Sequence, residues 1–570
     1  MVIGLAGAYG LVLRLWLLGH TPVNSDWAVA GLMAKSILSG HFWTFYWGQQ
    51  YGGVEPYLVA PVVWLSGGSP WAMGVTAALL SAVAAVLVGV VVGASTGRRW
   101  LGWAAGMLAW VWPYAVVWNS IREYGFRGVT MACGLLAVWM AVRIHRGPTR
   151  VVDSAVLGLA VGIGWWSSPE LVYFAAPVAV VLVVSWDRLF DRDRRLLGPW
   201  RPGPVAAAVA GAVVGALPWL YTNIGTGFAS LQTGSLPSYR GLGYGARLRV
   251  FFHDMLPVQL GVRTVPGGAW VGGRTVGPVL YGIVAAVVVV IVVAALGSVR
   301  RGRTAAPALG AAAGIVLFPF LYALVPSTGY WVDGRYGVYL PAFIAIAAGV
   351  VLAGARPAVD LAGPPPDLPS GIPSGGPSGV PRHRPGAHRR HRRRRSAPTL
   401  AAGTVGLVAA TVGLVGASGL TVLAARAGGV PARPGTFVSG WRDPEAPVRQ
   451  IVAAMDEHGL RYAYGTYWTA YVLDYVAGGR VVVTPSPLDV VRLPSAAAAV
   501  ATSPGPAWLF YPTGHTAAAG AAFANPETGP GNYTEAQFES LLTGRHVPYT
   551  VVHVGVLDAV VPARRITLPN

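Results

Sequence analysis

The sequence predicts a polytopic α-helical membrane protein with about eleven transmembrane helices and a small α/β domain at its C-terminal end. Three observations predict it. The 570 residues are 54% hydrophobic and only 11% charged, about half the charge of an ordinary soluble chain. Apolar runs of roughly 20 residues recur, the length that crosses a bilayer as a helix. After the last run the pattern changes to short β-type stretches between helix-length segments, as in a mixed α/β unit.

The apolar runs fall at about 2–19, 71–93, 100–118, 126–144, 152–168, 169–186, 204–222, 276–298, 304–325, 336–354 and 399–425. The first continues to a Trp16/His20 boundary with no small-residue cleavage site, so it is read as a retained helix rather than a signal peptide. Around Trp165-Trp166-Ser167-Ser168-Pro169 two runs abut. Pro169 disfavours a helical residue before it, which predicts two short helices with a turn between them.

The net charge of +20 is concentrated in loops and one linker, which points to membrane topology and away from nucleic acid. Arg98-Arg99, Arg143/Arg146/Arg150, Arg188/Arg192/Arg194/Arg195 and Arg300-Arg301-Arg303 fall in alternate loops. So does the Pro/Gly/Ser/Arg-rich stretch 356–398, with Arg389-Arg390 and Arg392 to Arg395. The positive-inside rule makes that side cytoplasmic. Segments 20–70, 119–125, 223–275, 326–335 and everything after about 426 are then expected outside. The stretch 356–398 cannot form a core and reads as a disordered cytoplasmic linker, with anionic headgroups as a second possible partner. The expected organisation is a membrane core over 1–355, the linker, a last span at 399–425, and an extracytoplasmic domain over 426–570. The only cysteine, Cys133, lies in an apolar run, which excludes an internal disulfide framework and a cysteine metal cluster. Lys35 is the sole lysine, and Ala, Val, Gly and Arg dominate, a bias expected of a high-GC bacterial genome and hence of a bacterial plasma membrane.

In the tail, helical patterns at about 445–458, 467–477 and 534–544 alternate with β-type runs at 462–465, 481–484, 507–511 and 549–554. No glycine-rich loop joins a strand to a helix, so nothing there reads as a nucleotide site.

The first loop carries the most unusual chemistry. Asp26 follows the first apolar run, and a short amphipathic helix over 30–38 contains Lys35. Then comes a dense aromatic stretch, His41 to Tyr57, with Trp47, Gln49, Gln50, Tyr51 and Glu55. Aromatics at this density favour a membrane interface. Two acids, a lone lysine and two glutamines exceed what an anchor needs. Several residues keep two readings. Asp26 is either a catalytic carboxylate or a cap of the short helix. Glu55 is either a site residue or an acid at a helix start. Arg122 and Arg127 flank Glu123 and could form a local ion pair. Glu170, after Pro169, reads as a helix-start acid. His253 and Asp254 are too isolated to predict a metal site.

The order of these features resembles the GT-C membrane glycosyltransferases, and within them the dolichyl-phosphate-mannose protein mannosyltransferase and aminoarabinose transferase branch of bacteria. Ser25-Asp26-Trp27 stands where that family has its loop-one acid. Phe45-Tyr46-Trp47-Gly48-Gln49-Gln50-Tyr51-Gly52-Gly53-Val54-Glu55-Pro56-Tyr57 resembles a stretch of bacterial members, Asp333-Gly334-Arg335-Tyr336 resembles the Arg-Tyr motif, and Tyr464 to Tyr471 is similar to a tail motif. Many members carry an acidic pair in loop one, whereas Trp27 follows Asp26 here, which leaves the use of a divalent metal (Mg or Mn) open.

The resemblance implies an enzyme that moves a sugar from a polyprenyl-phosphate donor to an extracytoplasmic acceptor (a cell-envelope glycan, lipid or protein) by a single inverting displacement. Asp26, then Glu55, would be catalytic, because the acceptor hydroxyl must lose its proton. Arg335, Lys35 and Arg122 would hold the donor phosphate. Trp47, Gln49, Tyr51, Glu123 and Tyr336 would line the donor and acceptor pocket. The tail is expected to bind the acceptor or a partner rather than take part in catalysis. A lipid or solute transporter is the alternative, disfavoured because the acids crowd at helix ends and no internal repeat is visible. A non-catalytic scaffold that binds envelope polymer is the other.

Overall fold

The computed structural model describes residues 2–21, 23–147, 150–185, 202–231, 241–265, 268–298, 306–354, 397–428, 445–512 and 529–568. The expected linker, but for its last two residues, and the arginine clusters at 188–195 and 300–303 lie outside the described residues. All eleven apolar runs are helical. They are α1 (Val2–His20), α4 (Trp71–Thr96), α5 and α6 (Arg99–Val111 and Tyr114–Asn119), α7 (Arg127–Arg146), α8 (Val151–Ser167) and α9 (Ala175–Val184), followed by the helices Pro202–Gly215 with Leu217–Gly225, Gly273–Gly297, Ala306–Leu324, Leu340–Leu352 and Ala397–Gly428. Six described helices are long and apolar enough to cross a membrane on their own, and a seventh span results if the pair 203–225, bent by 62°, counts as one. Several of the other runs are shorter or broken, and the described helices do not establish the number eleven. Prolines explain the breaks. Pro113 separates α5 from α6, and Pro169 opens a 3-10 turn, Pro169–Phe174, before α9. Proline has no N–H to continue a helical ladder. Two further helices, α2 (Ser25–Leu38) and α3 (Glu55–Leu65), lie between α1 and α4.

The tail forms a five-stranded sheet in the order β2-β1-β3-β5-β4. Its strands are β1 (Tyr462–Gly465), β2 (Val482–Pro485), β3 (Ala507–Phe510), β4 (Tyr549–Val554) and β5 (Leu557–Pro562). β1 pairs in parallel with β2 and β3, whereas β5 runs antiparallel to β3 and β4. Four of these strands were expected within a residue or two, and β5 and the helix Pro494–Thr502 were not. One face of the sheet packs on the helices Ala446–Glu457 and Tyr467–Ala477. The other buries Val500, Trp508, Phe538 and Leu542. The first of these cores does not stop at the tail. Leu17, Trp27, Met33, Trp118 and Ile121 belong to the same buried cluster as Tyr471, Leu473 and Tyr475, so the tail is seated on α2 by continuous apolar packing.

Within the bundle, close approach is set by glycine. Gly158 and Gly162 on α8 face Gly211 and Gly215 on the helix Pro202–Gly215, and a β-carbon on Gly215 would lie 2.6 Å from the carbonyl oxygen of Leu159. Gly89 and Gly106 do the same for α4 and α5, at 2.9 Å from Gly102 O and 2.8 Å from Ala85 O. Small residues let apolar helices touch backbone to backbone where no hydrophobic drive separates protein from lipid. Gly162→Leu should therefore lower the detergent melting stability by about 1–3 kcal/mol through overpacking. Gly282→Leu, on a helix with nothing within 4 Å of that position, should change it little. Equal effects of the two would show that the close approach is not needed.

Candidate active site

The site begins at the start of α2. Asn24 caps the helix by accepting a hydrogen bond from the Trp27 N–H at 3.1 Å, so the cap is Asn24 and not Asp26. The carboxylate of Asp26 is turned to other partners. Its Oδ2 accepts from Arg335 Nη1 at 3.0 Å, and its Oδ1 accepts from the Tyr467 hydroxyl at 2.7 Å. The Tyr46 hydroxyl donates to the Asp26 carbonyl at 2.6 Å.

Arg335 also contacts Asp333 Oδ2 at 3.4 Å, an ion contact without hydrogen-bond alignment. Asp333 is buried, and its Oδ1 accepts from the Arg335 N–H at 3.1 Å. The backbone of this turn is held from two other segments: Asn119 Nδ2 donates to Asp333 O and Gln259 Nε2 to Gly334 O, each at 2.7 Å. The four loops that the arginine pattern assigned to one side, within 20–70, 119–125, 223–275 and 326–335, thus converge on one place.

Two further groups surround it. Arg127 pairs with Glu170 at 2.8 Å, and Glu170 accepts from the Tyr339 hydroxyl at 2.6 Å. Arg127 is therefore paired with Glu170 and not with Glu123, and Glu170 is more than a helix-start acid. Glu123 instead shares a hydrogen bond with Glu55. Glu55 also accepts from the Val129 N–H at 2.6 Å, and Glu123 from the Gly125 N–H at 2.7 Å. Burial pushes both carboxyls above the ordinary range, Glu123 strongly so and further raised by Glu55, and a proton shared between them is what such a pair would hold.

That leaves Arg122. It stacks over Trp118 at 4.1 Å, its Nε is buried without a hydrogen-bond partner, and no carboxylate pairs with it among the described residues. It lines a cavity enclosing about 750 Å³ of empty space, counting its open mouth. Glu55, Asn119, Arg122, Tyr124 and Arg127 form the polar end of the lining, while Leu80, Ala84, Val88, Met131 and Leu135 form an apolar wall along α4 and α7. Behind that wall Arg14 is buried in α1, stacked at 3.4 Å over Trp110. It donates to Ser120 at 2.8 Å and to Ser81 at 3.4 Å, two residues of the lining.

The other residues predicted from sequence fall as follows. Tyr336 lies between Arg127 and Arg335, with their guanidinium groups 4.8 and 5.3 Å from its ring. Trp47, Gln49 and Tyr51 form a tight hairpin closed by the Phe45/Gly52 bridge. Trp47 and Tyr51 support it, edge-on to Trp43 and Phe126 respectively, and burial pushes the Tyr51 hydroxyl up to about 12. Lys35 is not with the others. Nine positions along a helix turn it by about half a revolution from Asp26, and its ammonium donates to the Tyr475 carbonyl at 3.0 Å beside Asp474. Sequence reasoning missed Tyr467 and Arg492. Arg492 donates to the Gly48 carbonyl at 2.8 Å. Tyr467 stood inside the quoted tail motif, the one signal that pointed to it.

Among the described residues, no group of three or more His, Cys, Asp or Glu could hold a metal ion. Asp26 and Asp333 are turned to Arg335, and Glu55 to Glu123. This donor set does not fit a divalent cation, and no step below is routed through one.

With this geometry in place, comparison with solved structures identifies the fold. ArnT from Cupriavidus metallidurans bound to undecaprenyl phosphate superposes with a TM-score of 0.54 at 14% identity, covering 98% of this chain and 97% of that one. The apo form gives 0.51 at 15% identity with the same coverage. The chain shares the GT-C fold of ArnT. No protein-family model and no curated protein matches the sequence.

The shared proton gives a pH signature. A carboxyl whose folded pKa is raised leaves the folded state holding more protons, so stability is full below the ordinary carboxyl value and falls as pH rises above about 4.3. Glu123→Gln keeps a hydrogen-bonding side chain opposite Glu55 and removes one titrating group. Its melting temperature should vary less with pH than that of the unaltered protein. An unchanged slope would show that the pair carries no shared proton.

Proposed function

We propose that the protein is a polyprenyl-phosphate-dependent glycosyltransferase with its site on the extracytoplasmic face of the membrane. The observation that carries this reading is an amphipathic cavity whose polar end holds an arginine with no carboxylate partner among the described residues, with the partly buried Asp26 reached through Tyr124 of its lining. An acceptor hydroxyl attacks the anomeric carbon as Asp26 takes its proton. The bond from that carbon to the phosphate oxygen breaks, and the polyprenyl phosphate leaves with the electron pair. Inversion follows from a single displacement. The isoprenoid chain lies along the apolar wall and into the lipid. The likeness to ArnT, which was solved bound to undecaprenyl phosphate, supports this donor class.

Among the cations first considered for the phosphate, Arg122 is the best placed. Arg335 is already flanked by Asp26 and Asp333, and its role on this reading is to orient Asp26. Arg127 is committed to Glu170. Lys35 faces the tail. Arg122 alone offers a planar donor fork with no carboxylate against it, the geometry that suits phosphate.

In proteoliposomes supplied with a polyprenyl-phosphate sugar, Asp26→Asn should insert and bind donor but transfer about 10²–10⁴-fold more slowly. Near-normal transfer would remove Asp26 from the reaction and point to Glu55. Arg122→Ala should raise the donor KM by about 10–100-fold, the loss of one charge-assisted contact. Arg335→Ala should instead depress kcat. Equal donor KM in Arg122→Ala and the unaltered protein would move the phosphate elsewhere. Uptake of solute into the same vesicles without sugar transfer would favour the transporter. For orientation, a cysteine at the exposed Thr502 in a Cys133→Ser background should react with an impermeant reagent from outside the cell. Labelling only from the cytoplasm would invert the topology. Mass spectrometry of lipid extracts from a deletion strain and its parent would identify the accumulating donor.

A further inference from the structure

We infer that the tail is part of the catalytic machinery, with Tyr467 and Arg492 positioning Asp26. The inference rests on reading Asp26 as the base, and it departs from the expectation that the tail only binds an acceptor or partner.

The tail's sheet places these residues. β1 continues into the helix Tyr467–Ala477 and pairs with β2, whereas β2 returns through the helix Pro494–Thr502 to β3 on the other side of β1. The strand order therefore reverses beside β1. In an open α/β sheet that reversal leaves a crevice at the carboxyl ends of the strands, where ligands bind. Here Tyr467 stands in the first turn after β1 and Arg492 follows β2, so both lie at the carboxyl end of the sheet, where Tyr467 meets the start of α2. Ser25 fixes the approach by donating to the Tyr467 carbonyl at 2.5 Å.

A linear network results. The guanidinium of Arg492 lies 5.8 Å from the Tyr467 ring, the Tyr467 hydroxyl donates to Asp26 Oδ1 at 2.7 Å, and Arg335 holds Oδ2 at 3.0 Å. Arg492 is itself tied to the Trp47 and Gly48 carbonyls at 3.3 and 2.8 Å. The carboxylate is thus clamped on both oxygens, once from the membrane bundle and once from the tail. A base held in one orientation keeps its free lone pairs aimed at a single place. The Tyr467 contact, at 2.7 Å, has the length a proton-accepting carboxylate needs toward an acceptor hydroxyl. The charged and titratable groups facing Asp26 are Arg335 from the loop before Leu340–Leu352, Tyr124 from the loop before α7, Tyr46 from the hairpin, and Tyr467 and Arg492 from the tail, with Asp333 behind Arg335 and Glu123 behind Tyr46.

The test uses the full chain in proteoliposomes. Tyr467→Phe removes one hydroxyl and keeps the ring. It should lower kcat by about 10–100-fold with the donor KM unchanged. The acid limb of the rate profile should move to higher pH, because a donor to the ionised carboxylate has been lost. Arg492→Gln leaves every Asp26 contact in place and should shift the limb in the same direction by less. Protease protection of the tail reports whether it stays seated. Loss of kcat only in parallel with undocking, with no movement of the acid limb, would reduce Tyr467 to a structural contact and overturn the inference. So would an unaltered kcat and profile in Tyr467→Phe while Asp26→Asn is inactive. An active Asp26→Asn would instead defeat the assignment of the base, whatever Tyr467 does.

Discussion

The side of the bundle that faces the tail is organised around one partly buried carboxylate, Asp26, and the two groups that hold it. A charge taken out of water is costly unless it is paired and hydrogen-bonded. Asp26 meets that demand with Arg335, 309 residues away, and Tyr467, 441 residues away. Both must arrive for the arrangement to form. Arg335 arrives only if the turn at Asp333-Gly334 is seated by Asn119 and Gln259. Tyr467 arrives only if the tail docks on α2. The satisfaction of one charge therefore ties together the first loop, the loops before α7 and before the last part of the bundle, and the C-terminal sheet.

Apolar packing and polar contacts reinforce each other in that docking. Tyr475 packs against α2 so closely that a β-carbon on Gly31 would meet its ring, and its hydroxyl donates to the Gly68 carbonyl at 3.0 Å. On the same helix, Asp474 is pushed up to about 7 by burial, beside Lys35. Lys35 serves this interface by donating to the Tyr475 carbonyl and lying 3.8 Å over its ring, which explains why the only lysine of the chain is absent from the cluster around Asp26. An expectation based on charge alone placed Lys35 near the phosphate. The helical period, which turns position 35 away from position 26, decides otherwise.

Much of the fold was legible because its signals are local. Hydrophobic run length and proline position give the helices and their breaks at Pro113 and Pro169. Alternation and turn residues give four of the five tail strands. The strand β5 was missed because Leu557–Pro562 lies two residues beyond β4, and a hairpin that tight blurs two runs into one. The site was legible in part. Asp26, Glu55, Glu123, Arg122 and Arg335 stand out as charges in a chain that has few, and they do lie together. Their pairing was not legible. Neighbours in sequence suggested Arg122/Arg127 with Glu123, whereas the fold gives Arg127 to Glu170 and Glu123 to Glu55. Tyr467 and Arg492 carry no local mark of function, because what distinguishes them is the crevice of a sheet that closes only in three dimensions.

The pairing also divides the region electrostatically. Arg335 is balanced by Asp26 and Asp333, Arg127 by Glu170, and Glu55 with Glu123 keeps a proton. These groups sum to about two negative charges, and the two arginines on the cavity side offset them across the region. Arg122 remains, with Arg14 buried behind the same cavity wall and bonded only to serines and a backbone carbonyl. Positive potential is therefore left on the cavity side, and the ionised carboxylate is left on the tail side. On the proposed reading these are the two demands of the reaction. An anionic leaving group needs unneutralised cations where the lipid lies, and a nucleophile needs a proton acceptor where the acceptor enters. A bundle that paired Arg122 with a carboxylate would satisfy burial equally well and would lose that asymmetry. On that reading, the absence of such a carboxylate among the described residues is what would set the donor on the membrane side of Asp26 and the acceptor on the side of the tail.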